Sequence, residues 1–200
     1  GAALLKSASD DGLFLFHADR AADIMRVLAF AAEHKLFPVI HGGSEAWMVA
    51  KSLADAGVPV ILNPLENLPA SFESLGARLD NAAILHKAGV PIIFSSGETH
   101  NARKVRQLAG NAAANGLPHS AALAAISSTP AEVFGAEPRS ASEGARADLV
   151  IWSGDPLEVT SQAQQVILGG IPDTMVSRQT LLRDRYLDTD SAMPRAYINP

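Results

Sequence analysis

Leu13-Phe14-Leu15-Phe16-His17 and Phe37-Pro38-Val39-Ile40-His41 are two short apolar runs, each closed by a histidine. Between them, Ala21–Glu33 carries Ile24, Val27, Leu28 and Ala31 at the i, i+3, i+4, i+7 spacing of an amphipathic helix. Asp19 stands in front of that helix as a candidate cap. An apolar run without alternation is how a strand buried on both faces reads, and strand, helix, strand in succession is a parallel crossover. In α/β barrels such strands present their C-terminal ends on one face, where ligands and catalytic groups gather. A single histidine there reads as readily as a plain strand end. Two at equivalent places in consecutive units make His17 and His41 candidate metal ligands.

The same unit recurs further along. Gly42-Gly43-Ser44 turns into a helix expected over Glu45–Ala56, and Val58–Leu62 reads as a third strand closing at Asn63-Pro64. A polar loop, Glu66–Ser71, precedes a helix over Ala77–Ala88 and a fourth strand over Val90–Phe94, with Ser95–Thr99 as its exit loop. Ala56-Gly57-Val58-Pro59-Val60-Ile61 and Ala88-Gly89-Val90-Pro91-Ile92-Ile93 nearly repeat. In each, a glycine ends a helix and proline enters a strand where no ladder donor is needed. Four such units predict a parallel sheet and half of an eight-stranded barrel. Beyond Phe94 the pattern changes to helices over Ala102–Ala114, Ser120–Ile126 and Pro130–Phe134. Short strands follow at Asp148–Trp152, Gln165–Leu168 and Thr174–Ser177, read as a small antiparallel element. The division expected is 1–135 for the barrel part, 136–187 for the β element and 188–200 for a polar, proline-containing tail.

Composition bounds the chemistry. At 200 residues and 48% hydrophobic, the chain can build one large core or one and a half. A net charge of -5, with no Lys/Arg stripe, argues against a nucleic-acid partner. The absence of cysteine excludes disulfides, a thiolate nucleophile and cysteine-based zinc sites, and leaves cytoplasm and periplasm equally open. No apolar run reaches membrane-helix length, so no membrane partner is expected. Because Gly1 rather than Met opens the chain, a fragment or processed product is expected, and a removed signal peptide would leave no trace.

Longer phrases in the second half carry a family resemblance. Ala121-Ala122-Leu123-Ala124-Ala125-Ile126-Ser127-Ser128-Thr129-Pro130-Ala131-Glu132-Val133-Phe134-Gly135 resembles the helix after the last barrel strand in the amidohydrolase superfamily. Glu143-Gly144-Ala145-Arg146-Ala147-Asp148-Leu149-Val150-Ile151-Trp152 resembles the re-entry of that superfamily into its small β-sandwich. Ser153-Gly154-Asp155-Pro156-Leu157-Glu158 is similar to a turn of imidazolonepropionase-like members. The resemblance runs from about Leu13 to Tyr186.

That resemblance implies an α/β fold. The chain would be the C-terminal half of a (β/α)8 TIM-type metal-dependent hydrolase barrel, strands five to eight, plus part of a small β-sandwich. It implies a divalent metal, with zinc expected first and manganese or iron as alternatives. His17 matches the fifth-strand ligand and His41 falls at the sixth-strand position, although many relatives carry that histidine one residue later, where Gly42 stands. The first-strand His-x-His and fourth-strand lysine would lie upstream of Gly1. After the eighth strand relatives carry an aspartate; here the stretch is Ser95-Ser96-Gly97-Glu98-Thr99-His100. Glu98 is the carboxylate that could take over as metal ligand and general base, and His100 is a second candidate base.

The reaction implied is hydrolysis of a C–N bond in a cyclic amide, imide or small peptide-like substrate, through a metal-activated water. The alternative is a degenerate member with an incomplete metal site, serving binding or assembly. A half barrel exposes strand edges and an apolar inner face. Besides a small-molecule substrate, the expected partner is therefore the N-terminal half of the barrel or another copy of the chain, making a homo-oligomer. Asn101 and Arg103 are candidates for a substrate carboxylate, and Asp19 and Arg20 for a substrate contact or for a helix cap and a surface charge. His34 and His86 read as surface residues, His119 as a helix start, and Trp47 and Trp152 as packing residues.

Overall fold

The computed structural model describes residues 12–66, 68–97, 99–137 and 141–187. Four strands, β1 (Leu13–Ala18), β2 (Phe37–Gly42), β3 (Val60–Leu62) and β4 (Ile92–Phe94), lie side by side in chain order. All three pairings are parallel. The crossovers contain α1 (Ala21–His34), then a 3₁₀ turn (Ala46–Val49) running into α2 (Ala50–Asp55), then α3 (Asn81–Ala88). After β4 come a 3₁₀ turn (Thr99–Lys104), α4 (Val105–Ala114), α5 (His119–Ala124) and α6 (Ser128–Val133). The α/β architecture is a partial barrel, as the strand-and-helix pattern predicts.

Two apolar layers flank the sheet. On the helix side, Ile24, Ile40, Leu53, Val60 and Leu85 are fully buried and form one cluster with Ile92, Phe94 and Ala109. On the opposite side Val39, Ile61 and Ile93 form a smaller cluster, with Leu13 and Val133 against it. Leu15 and Phe37 share the alternation of that second face and remain 57% and 54% exposed. A closed barrel would bury both in its interior.

The small element is a three-stranded antiparallel sheet, β5 (Leu149–Trp152), β6 (Ala163–Leu168) and β7 (Ile171–Pro172), followed by α7 (Arg178–Leu187). Two expectations are corrected here. The third strand falls at Ile171–Pro172, not Thr174–Ser177, because Gly169 and Gly170 both have positive φ (58° and 83°) and close a two-residue hairpin. Thr174–Ser177 instead leads into α7. The Ser177 hydroxyl accepts the Thr180 N–H at 3.2 Å, and the Thr180 hydroxyl accepts the Ser177 N–H at 2.8 Å. That reciprocal arrangement starts a helix. The expected continuous helix Glu45–Ala56 is likewise a 3₁₀ turn joined to a short α-helix. The expected tail, 188–200, lies outside the described residues.

The turn between β5 and β6 is fastened to α4. Arg106 Nη1 lies 2.8 Å from the carbonyl oxygens of Pro156 and Glu158 and 3.1 Å from that of Ser161. Its guanidinium stacks 4.6 Å from the Trp152 ring centre. His119 Nε2 approaches Asp155 to 2.8 Å, so this histidine does more than start a helix. Leu157 is buried against the same surface, and a Cβ at Gly110 would stand 2.6 Å from the Leu157 carbonyl oxygen. Helix propensity alone favours Ala over Gly by about 1 kcal/mol. Overpacking against a backbone atom costs about 1–3 kcal/mol and reverses that sign. Gly110→Ala is therefore expected to be net destabilising, as a lower denaturation midpoint in urea with an unchanged slope.

Candidate metal centre

The pairing of β1 with β2 sets Phe16 opposite Ile40 and His17 opposite His41. Side chains alternate along a strand, so in-register partners on parallel neighbours point to the same side. Both histidines therefore leave the C-terminal ends of their strands toward the same face. Their Nδ1 atoms are 3.2 Å apart, with ring centres at 5.4 Å and planes tilted by 44°. Two nitrogens on one tetrahedral zinc, each about 2.1 Å from it, would stand about 3.4 Å apart. The pair fits shared coordination, and in the absence of a metal it fits one Nδ1–H donating to the other Nδ1.

Around the pair is a small pocket of about 90 Å³, lined also by Asp19, Asn63, Glu66, Ser95 and Ser96. These come from the exits of β1, β3 and β4, the loops that a barrel uses for chemistry. Asp19 does not cap α1. Its Oδ1 accepts the Ser44 N–H at 3.2 Å and the Ser44 hydroxyl at 2.9 Å, and its Oδ2 lies 3.4 Å from His17 Nε2. The capping work passes to Glu45, whose carboxylate accepts the Ala21 N–H at 3.0 Å.

Gly42 makes this arrangement possible. Its φ is +104°, and a Cβ there would meet Asp19 Oδ1 at 2.6 Å. A side chain at position 42, the alternative sixth-strand place that the resemblance implies for the histidine, is incompatible with this placement of Asp19. The next residue, Gly43, gives its carbonyl to the buried Asn81 amide at 2.9 Å. The double glycine is thus a tight turn, with its carbonyl already engaged.

Glu66 is the residue that sequence reasoning missed. It sits in what reads as a polar loop, and the available signal was its place just past the C-terminal end of a strand. Partial burial raises its pKa above the usual carboxylate range although the residue keeps contact with solvent, and the charge of Asp19 raises it further. A hydrogen bond from Ser44 and the nearby His41 and His17 act in the opposite direction. The other expected site residues do not all converge. His100 is exposed on the Thr99–Lys104 turn and does not line the pocket. Arg20 pairs with Asp23 at 2.7 Å on the surface of α1. His34 and His86 are exposed, and Trp47 donates its indole N–H to the Gly76 carbonyl at 2.9 Å under the Arg78 guanidinium. Arg103 is exposed. Glu98 lies outside the described residues, as does the side chain of Asn101. Among the described residues no three His, Asp or Glu side chains are gathered so as to hold a metal ion.

A parallel α/β half barrel with imidazoles and carboxylates at the strand exits is the build of a barrel hydrolase. Residues 3–179 fit the sequence profile of the amidohydrolase family, and the chain belongs to that family. It is 37% identical over 82 residues to the amidohydrolase tasK of Hapsidospora irregularis, a stretch covering 40% of this chain and 8% of that protein. Among solved structures it resembles an amidohydrolase from Thermotoga maritima, with TM-score 0.72 and 30% identity over 79% of this chain and 42% of that one. A prolidase solved with N-methylphosphonate-L-proline shares the fold at TM-score 0.59 and 20% identity, over 84% of this chain and 46% of that one. The chain thus spans less than half the length of these relatives. No helix among the described residues is long and apolar enough to cross a membrane.

The Glu66 environment predicts a pH effect on stability. Below the ordinary glutamate pKa of about 4.3 the carboxyl is neutral in both folded and unfolded chains, and its ionisation costs the fold nothing. As pH rises from that value toward the raised folded one, the unfolded state ionises first and stability falls, levelling off once both states are ionised. Glu66→Gln should raise the melting temperature of the metal-free protein at pH 8 and leave it nearly unchanged at pH 4.

Proposed function

We propose that this chain is the metal-binding C-terminal half of an imidazolonepropionase-like hydrolase that cleaves a C–N bond in a cyclic amide, imide or small peptide-like substrate. The observation that carries the reading is the His17–His41 pair, whose Nδ1 atoms stand 3.2 Å apart at adjacent strand ends. Family membership supports the hydrolase class. His17 and His41 would hold a divalent cation, with zinc suited to the imidazole donors and manganese or iron as alternatives. The chemistry such a cation supplies is Lewis acidity toward a carbonyl oxygen and acidification of a water molecule. Glu98 is assigned as a further ligand and the general base, with His100 as the second candidate. Its proton-accepting carboxylate would pass the proton to the leaving nitrogen. Asn63, Ser95 and Ser96 offer hydrogen bonds to a small polar substrate in the same pocket.

The exposed inner-face residues Leu15 and Phe37 support a covering partner, either the N-terminal half of the barrel or a second copy of the chain. A second reading also has an observation behind it. Gly42 cannot supply the sixth-strand histidine, and no three donors converge among the described residues. A degenerate site serving binding or assembly would look the same.

Elemental analysis separates the two. The hydrolase reading expects about one or more divalent ions per chain in the purified protein, and loss of that metal in a His17→Gln, His41→Gln double variant. A metal-free wild type, after supplementation, selects the degenerate reading. On a turned-over substrate Glu98→Gln should lower kcat by at least about 100-fold with the fold intact, the contribution of a general base. Full activity in that variant would move the role to His100 or to another residue.

A further inference from the structure

We propose that Asp19 is the positioning residue of the histidine pair: it holds His17 as the Nε2–H tautomer and so turns an unprotonated Nδ1 toward His41. A neutral imidazole carries one proton, and the partner of one ring nitrogen decides the state of the other. His17 Nδ1 is 3.2 Å from His41 Nδ1, and His17 Nε2 is 3.4 Å from Asp19 Oδ2. An ionised carboxylate accepts and cannot donate. Facing it, Nε2 keeps the proton and Nδ1 presents a lone pair. In the metal-free pair His41 Nδ1 is then the donor, and a cation bound at the junction would take the place of that proton.

Asp19 is suited to set the geometry because it is the better fixed of the two. Its side chain is 17% exposed, against 69% for His17. The Ser44 N–H and hydroxyl both hold its Oδ1. The missing side chain at Gly42 leaves the space that the carboxylate fills. At 3.4 Å the contact with His17 is at ion-pair distance and longer than a closed hydrogen bond. Such contacts tighten when a site is loaded. Carboxylates behind metal-bound histidines typically govern about 10–100-fold in metal affinity. The metal half of this inference rests on the function proposed above; the tautomer half does not.

Asp19→Asn tests it with little change in volume. The Ser44 N–H can only donate, so the amide oxygen stays on the Ser44 side and the amide NH₂ group turns to His17 Nε2. Nε2 must then accept, and the proton moves to Nδ1. The measurement is the long-range ¹H–¹⁵N histidine spectrum of the intact, metal-free protein, with His17 assigned through His17→Gln. The expected result is Nε2–H in the wild type and Nδ1–H in Asp19→Asn. Competition between the protein and a chromophoric zinc chelator should show zinc binding weakened by about 10–100-fold in the variant.

A wild-type His17 protonated at Nδ1, or a tautomer unchanged by Asp19→Asn, overturns the proposal. Unchanged zinc affinity despite an inverted tautomer overturns its metal half. A wild type that binds no zinc yet shows the Asp19-dependent tautomer supports the positioning role and removes the hydrolase reading. If Asp19→Asn does not fold, Asp19→Ala, which removes the carboxylate that faces Nε2, reads the same quantity. A mixed His17 tautomer supports the proposal and a pure Nε2–H tautomer counts against it.

Discussion

The in-register parallel pairing of β1 with β2 is the constraint on which the site depends. It sets His17 opposite His41 and makes their side chains leave the sheet in the same direction. A slip of one residue would send one imidazole to the helix side and the other to the mouth. The register is not left to the ladder alone. Just past the strands the Gly43 N–H donates to the Ala18 carbonyl at 2.9 Å, and the Glu45 N–H donates to the Asp19 carbonyl at 2.8 Å. On the helix side Ile24 and Ile40 are fully buried in one cluster. Burial of that face penalises a slip far more than any contact between the histidines could.

From that pairing the polar network of the mouth follows. The chain leaves β2 through two glycines of positive φ, which brings Ser44 back over the exit of β1. Ser44 meets Asp19, and Asp19 meets His17. Glu66 enters from the exit of β3 and faces the same hydroxyl. The Ser44 hydroxyl has one proton and two carboxylates beside it, so both cannot be satisfied by it at once. Asp19 also has the Ser44 backbone N–H, whereas partial burial and then the charge of Asp19 resist the ionisation of Glu66 despite its bond from Ser44.

Much of the fold was legible in the sequence, and the site less so. The four strands and their order follow from apolar runs separated by helix-period stretches, because burial on both faces leaves an unmistakable local pattern. The histidines were legible for the same reason, as each ends such a run. Asp19 was misread as a helix cap, since capping is a local signal and its real partner, Ser44, lies 25 positions on. Glu66 had only a weak signal, its place just past the end of β3, because it is the third dimension that brings its loop to the first two strand ends. The Gly169-Gly170 hairpin was readable and was passed over in favour of the more β-prone residues after it.

The burial pattern explains how the pair can be held by this stretch of chain. The helix-side layer is continuous from Ile24 through Leu53 and Leu85 to Ala109, all fully buried, so the sheet is braced along its full width from one side. The other face holds a smaller cluster and leaves Leu15 and Phe37 half open. Strand positions, and with them the 3.2 Å approach of the imidazoles, are therefore set mainly by contacts on the helix side. What that face decides is different. A metal or substrate at the mouth would sit above Leu13 and Leu15, and its surroundings stay wet until something covers them. In water charges interact weakly; in a dry site the same His17, His41 and carboxylate set acts at several times the strength. Geometry belongs to the braced layer, and the electrostatic strength of the site belongs to whatever closes the open one.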